Sequence, residues 1–240
     1  MSAPASAGPT GRMRPGNTLV NTVLLLTATA VAATALWPVY QSAAFVVLVV
    51  VAAVLGAGVA LAGALWRWPA WLVCLVTVVV YLVGGVPLAV PGQAAFGVLP
   101  SLAGLADLVP ATWLSWKQLV TIVLPVGSYQ ALLVPALILV LLTSVTGLSL
   151  ALRARIAEFA VLAPLGLFVA GIAFGPGARD GLAPMAGGLG LVTVLVLWLL
   201  WLNRDRRRRR LLPASTGLLP AAERRVGATR SLLAAVTVLV

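Results

Sequence analysis

Apolar residues fall along this chain in long unbroken runs, interrupted by Pro, Arg and Trp, with no alternation of apolar and polar positions. Crossing the hydrocarbon core of a bilayer takes about 20 apolar residues in a helix, whereas barrel strands would alternate. Six segments meet the helical requirement, at roughly 18–37, 43–65, 69–90, 130–152, 157–175 and 183–202. A seventh opens at Ser231 and holds ten residues to Val240. The expected fold is an all-α integral membrane bundle of six complete spans and a truncated seventh, the N-terminal portion of something longer. Short interfacial helices are expected in one outer loop.

Composition agrees. The chain is 62% hydrophobic and 9% charged, with a mean hydropathy of +1.11. So few charges do not cover a water-soluble globule, which is about a quarter charged. The formal net charge of +11 matters through its distribution. If every segment crosses once, all but two of the 16 basic residues lie on one side. These are Arg12, Arg14, Arg67, Arg153, Arg155, Arg204, the run from Arg206 to Arg210, Arg224, Arg225 and Arg230. Lys117 and Arg179 fall on the other. The excess of Arg and Lys on cytoplasmic loops then orients the bundle. A cytoplasmic tail covers 1–17, the six-span domain 18–202 with its outer loop at 84–129, and an Arg-rich cytoplasmic loop 203–230. The seventh span, 231–240, leads out of the cytoplasm. Ala33-Thr34-Ala35 resembles a signal cleavage site, but the apolar run is long for a signal and an uncleaved anchor is favoured.

Tryptophans and tyrosines mark the two headgroup levels. Trp66, Trp68, Trp71, Trp198 and Trp201 are assigned to the inner level, and Trp37, Tyr40, Tyr81, Trp113, Trp116 and Tyr129 to the outer one.

The outer loop is the polar interruption of the chain. Gly84-Gly85 and Pro87 end the third span there. Ser101 is expected to cap a short helix carrying Leu102, Leu105 and Val109 on one face. Pro110 ends it, and Thr112 caps a second helix running to about Leu124, where Pro125 stops it. Trp113, Trp116, Val120 and Val123 form the apolar face of that second helix, with Lys117 at its border, so it lies in the interface. Asp107 is a candidate ion-pair partner for Lys117.

Chemistry finds little to work with. There is no histidine and one cysteine, which removes the commonest general base and any multi-cysteine metal site. No catalytic, cofactor-binding or metal-binding residue is assigned. Cys74 reads as a buried small hydrophobe on the third span. Glu158, just inside the fifth span, reads as a partner for Arg155 three residues earlier, a proton relay being the lesser alternative. Arg204, Arg206, Arg207, Arg208, Arg209 and Arg210 are candidates for contact with anionic lipid or a partner protein. Nucleic acid is not an expected partner, because no reader motif accompanies the arginines. Small residues at four-residue spacing, Gly56, Ala60 and Ala64 on the second span and Thr143, Gly147 and Ala151 on the fourth, suggest faces for close helix contact.

The stretch WKQLVTIVLPVGSYQALLVPALILVLLTSVTGLSLALR, Trp116 to Arg153, resembles the N-terminal membrane region of bacterial transglutaminase-like (protein-glutamine gamma-glutamyltransferase-like) proteins. VPLAVPGQAAFGVLPSLAGL, Val86 to Leu105, is similar to the outer loop of their actinobacterial branch. Phe96, Gly97, Pro100, Gly104, Trp116, Lys117, Leu119, Pro125, Gly127, Pro135 and Arg153 carry the likeness. It implies a membrane anchor for a downstream, extracytoplasmic domain with a Cys-His-Asp triad, acting at the cell envelope. It further implies a MoxR-type ATPase and a companion membrane-associated protein as partners. The chain itself lacks the triad, and Cys74 does not match the family nucleophile. Alternative readings are a small permease or lipid-handling component, and a scaffold of an envelope complex.

Overall fold

The computed structural model describes residues 15–90, 92, 100–121, 132–154, 156–175 and 183–211, and the regular structure in them is helical. Helix α1, Pro15–Ala33, passes through a 3-10 turn at Thr34–Leu36 into the four-residue α2, Trp37–Tyr40. Its threonines do not disturb the apolar run. The hydroxyls of Thr22, Thr27 and Thr29 donate to carbonyls four residues back at 2.8 to 2.9 Å, so each satisfies itself within the helix. Gln41 then reverses the chain in the left-handed region, with φ 42°. Ser42 caps α3, Ala43–Leu65, by accepting from the Phe45 N–H at 3.2 Å. Tyr40 stacks on Phe45 with ring centres 5.0 Å apart.

A tight turn over 66–69, with Arg67 at φ 54°, leads to α4, Ala70–Ala89. Next come α5, Leu102–Thr121, and α6, Val134–Arg153, with Pro135 in the first turn where its missing N–H costs nothing. A 3-10 turn at Ala157–Val161 feeds α7, Leu162–Phe174, and α8 covers Ala183–Leu211. Among the described residues six segments are long and apolar enough to cross a membrane: Thr18–Tyr40, Ala43–Leu65, Ala70–Ala89, Val134–Arg153, Ala157–Phe174 and Met185–Asp205. These coincide with the six expected spans within a few residues, and the chain is a multi-pass, all-α membrane bundle. Residues 231–240, the expected seventh span, lie outside the described residues.

The chain divides into two compact units, up to Trp198 and from Leu199 onward. In the first, α6 is the hub. Of its span 61% is buried, against 22–50% for the other five. Lipid supplies no hydrophobic drive for helices to associate, so contact depends on close packing at small residues. Gly56 of α3 provides it: a Cβ there would lie 2.7 Å from the Ser144 Cβ and 3.1 Å from the Leu141 carbonyl oxygen on α6. Gly171 of α7 is equally tight, 2.7 Å from the Ala35 Cβ on the same basis. Gly56 meets α6 at Ser144, whereas Gly147 turns away toward Ala160 and Ala163. α8 runs antiparallel to α1, Gly187 facing Thr34, Gly190 facing Val31 and Trp198 reaching Asn21.

Three boundaries differ from expectation. α4 continues through Gly84, Gly85 and Pro87 to Ala89, because Pro87 sits in the last turn and frees only the Val83 carbonyl. α8 does not stop at residue 202 but carries its helix through the arginine run to Leu211, since arginine is a good helix former. The loop expected over 203–230 therefore begins as helix. The outer-loop helices, expected as two, are one.

Candidate functional site

α5 occupies the polar interruption, and its sequence explains how it sits. Ser101 caps it as expected, accepting from the Gly104 N–H at 2.9 Å. Pro110, expected to break the helix, lies inside it. Proline removes one backbone donor, here the bond to the Ala106 carbonyl, and contacts with a neighbouring helix can hold the weakened turn. Thr112, expected as a second cap, is mid-helix. Its Oγ1 donates to the Leu108 carbonyl at 2.9 Å and lies 2.5 Å from the Tyr81 hydroxyl of α4. α5 is thereby fastened where the backbone is weakest.

The buried stripe of α5 is Gly104, Leu108, Ala111, Ser115 and Leu119, at helical spacing. Leu108 enters the space left by Gly85, whose Cβ would meet Leu108 Cδ2 at 2.8 Å. The Ser115 hydroxyl donates to the Ala111 carbonyl. The aromatic face expected from sequence points elsewhere: Trp113 is 85% exposed, and Leu102 and Val109 are also exposed. Trp116 is half-buried against Phe174 of α7, ring centres 5.6 Å apart. So α5 docks on α4 and α6 through this stripe and meets α7 at Trp116, while Trp113, Val109 and Leu114 look outward. Val123, Leu124, Pro125, Gly127 and Tyr129 lie outside the described residues.

Lys117 and Asp107 are both exposed on α5. They are ten residues apart on one helix, about 15 Å along its axis, so the expected pair does not form.

Other candidates are scattered. Cys74 is exposed on the outer face of α4 rather than buried, a lipid-facing position. Glu158 is exposed in the 3-10 turn that precedes α7, and Arg155 lies outside the described residues. In the second unit, Arg204 and Arg207 are exposed on the last turns of α8. Arg206, Arg208, Arg209 and Arg210 share that helix, so the six candidate arginines lie on regular helix and not on the loop expected for them. Trp198 and Tyr40, expected at headgroup levels, are fully buried packing residues.

Two features escaped the sequence. The Trp198 indole N–H donates to Asn21 Oδ1 at 2.9 Å, both side chains being buried. An asparagine inside the first apolar run was the available signal. At the end of the bundle opposite α5, the Arg153 guanidinium of α6 donates to the Trp68 carbonyl in the α3–α4 turn. Its signal was only that Arg153 and the turn around Trp68 fall at the same predicted membrane face.

A cleft between α1, α6 and α7, lined by Leu25, Thr29, Ser144, Gly147 and Pro164 among others, has no room for a water-sized sphere. Comparison with known proteins finds no matching family model, no matching curated protein and no matching solved structure. Of the residues on which the resemblance expected from sequence rests, Gly104 and Leu119 lie in the buried stripe of α5. Trp116 packs on Phe174, Pro135 opens α6 and Arg153 closes it. Phe96, Gly97, Pro125 and Gly127 are outside the described residues.

Proposed function

We propose that this chain is the membrane anchor of a transglutaminase-like envelope protein, holding an enzymatic domain at the outer face of the cytoplasmic membrane. The N-terminal tail and the α3–α4 turn face the cytoplasm, and α5 lies at the outer face. The reading is supported chiefly by the bundle interior, which is filled and, for most of its polar groups, self-satisfied. Among the described side chains no aspartate, glutamate, lysine or arginine is buried. Thr29, Thr77, Ser115 and Ser144 bond carbonyls four residues back, and Asn21 is taken by Trp198. Ion-coupled carriers place charged groups at membrane depth, so rigid support fits this interior better than transport.

Orientation and enzymatic partnership are tested separately. In a Cys74→Ser background of the full chain, a cysteine at Lys117 is expected to react with an impermeant maleimide from outside the cell. One at Arg67 reacts only after permeabilisation. Labelling of both from one compartment overturns the orientation. The coding sequence after Val240 is expected to encode a compact domain carrying Cys, His and Asp, and a stop codon there overturns the enzymatic half. Co-purification of a MoxR-type ATPase or the companion membrane-associated protein is the expected partner result.

A further inference from the structure

We propose that the turn between α3 and α4, together with the end of α6, forms a binding site for the phosphate of an anionic phospholipid headgroup. The proposal needs only that the bundle crosses a bilayer, and does not depend on the transglutaminase-like reading.

The turn is built as a cationic ledge ringed by aromatics. Trp66 and Trp71 are 69% and 67% exposed on its two sides. The Trp66 and Trp68 rings lie 5.4 Å apart. Such rings settle at the headgroup level, which puts the turn at the depth of lipid phosphates. Arg67 is exposed at its tip and Arg153 reaches it from 85 residues away, donating through Nη2 to the Trp68 carbonyl. That bond uses one of five guanidinium N–H donors. It fixes the Arg153 guanidinium beside the residue that follows Arg67. The remaining donors match a phosphate oxygen, as arginine forks do.

Arg67 adds a second argument. It sits at φ 54°, where glycine or asparagine is far easier to accommodate and an arginine is strained. A turn that needed only this backbone would be better served by glycine. Holding an arginine there keeps a cation on the tip. No acidic residue precedes Asp107 in the chain, and Asp107 is on α5, at the far end of α4. Glu158, in the 3-10 turn after α6, is the acid closest in sequence to Arg153, and one carboxylate against two guanidinium groups leaves the ledge positive. α4 also begins after Pro69, which supplies no side-chain cap, so the first N–H groups of the helix add partial positive charge to the same side.

The test uses the full chain in phosphatidylcholine micelles titrated with phosphatidylglycerol, bound lipid being counted by native mass spectrometry. Arg67→Gln is the main variant, because its side chain is exposed and folding should be unaffected. Arg153→Gln and the double variant follow, with thermal melting recorded for each. The double variant is expected to lose about tenfold or more in apparent affinity for phosphatidylglycerol, Arg67→Gln alone several-fold. Equal retention of phosphatidylglycerol by wild type and Arg67→Gln overturns the proposal. So does displacement by inorganic phosphate at concentrations equal to the lipid, which would mark a free-anion site, or equal retention of phosphatidylcholine.

Discussion

Trp198 and Asn21 meet 177 residues apart in sequence, the indole N–H donating to the amide oxygen at 2.9 Å between two buried side chains. The bond joins the first of the six spans to the last. Polar contacts between membrane helices average well under 1 kcal/mol and reach about 2 kcal/mol. A double-mutant cycle with Trp198→Phe and Asn21→Leu, read by unfolding in mixed micelles, should give a coupling of about 0.5–2 kcal/mol. Strictly additive effects would mean that the two groups do not depend on each other.

The contact of α3 with α6 is set by a missing side chain. A methyl at Gly56 would overlap Ser144 and crowd the Leu141 carbonyl, whereas one at Gly58, two residues on, would meet nothing within 4 Å. Gly56→Val should therefore destabilise the full chain by about 1–3 kcal/mol through overpacking. Gly58→Ala should stabilise by about 0.5–1 kcal/mol, because it removes the flexibility of a mid-helix glycine. Thermal unfolding in one detergent tests both. The reverse order of effects would place the α3–α6 interface elsewhere.

Cys74 is open to the outer face of α4, with no arginine, lysine or histidine in its helix to activate it. Replacement by serine should change stability by no more than about 0.5 kcal/mol. The thiol should react with a lipid-soluble maleimide and resist an impermeant one. Rapid reaction with the impermeant reagent would place α4 against water instead of lipid.

The spans were legible because hydropathy over about 20 residues reports what can enter a bilayer, and all six described ones fall where the runs predict. The side that packs was not legible, because lipid reverses the soluble rule that apolar means buried. In α5 the tryptophan at 113 is 85% exposed while Ser115, two residues on, is fully buried. Small residues mark the contact, and Gly104, Ala111 and Ser115 carried that signal beneath the louder aromatics. Pro110 misled for a related reason. In water a proline usually ends a helix, whereas here α4 holds the weakened turn in place through Tyr81. The arginines from 206 to 210 misled in the opposite sense, since their charge suggested a loop while their intrinsic preference extends α8. The Asn21–Trp198 and Arg153–Trp68 contacts needed tertiary structure, since nothing local pairs residues so distant.

The hold of Tyr81 on α5 carries the last prediction. The Tyr81 hydroxyl lies 2.5 Å from Thr112 Oγ1, two residues after Pro110, and Thr112 also bonds the Leu108 carbonyl of its own helix. Tyr81→Phe removes the contact between helices and leaves the local bond intact, so the loss should be that of one hydrogen bond, about 0.5–1.5 kcal/mol. Because the contact fastens one helix to its neighbour and not the bundle as a whole, the loss should appear as local opening more than as global unfolding. A cysteine placed at Ala111, buried in the docked helix, should then label several-fold faster than in the Tyr81 parent. Gly85→Leu should accelerate labelling further, because its side chain would fill the space that Leu108 occupies. Unchanged rates in both variants would mean that α5 is held by the rest of its stripe alone.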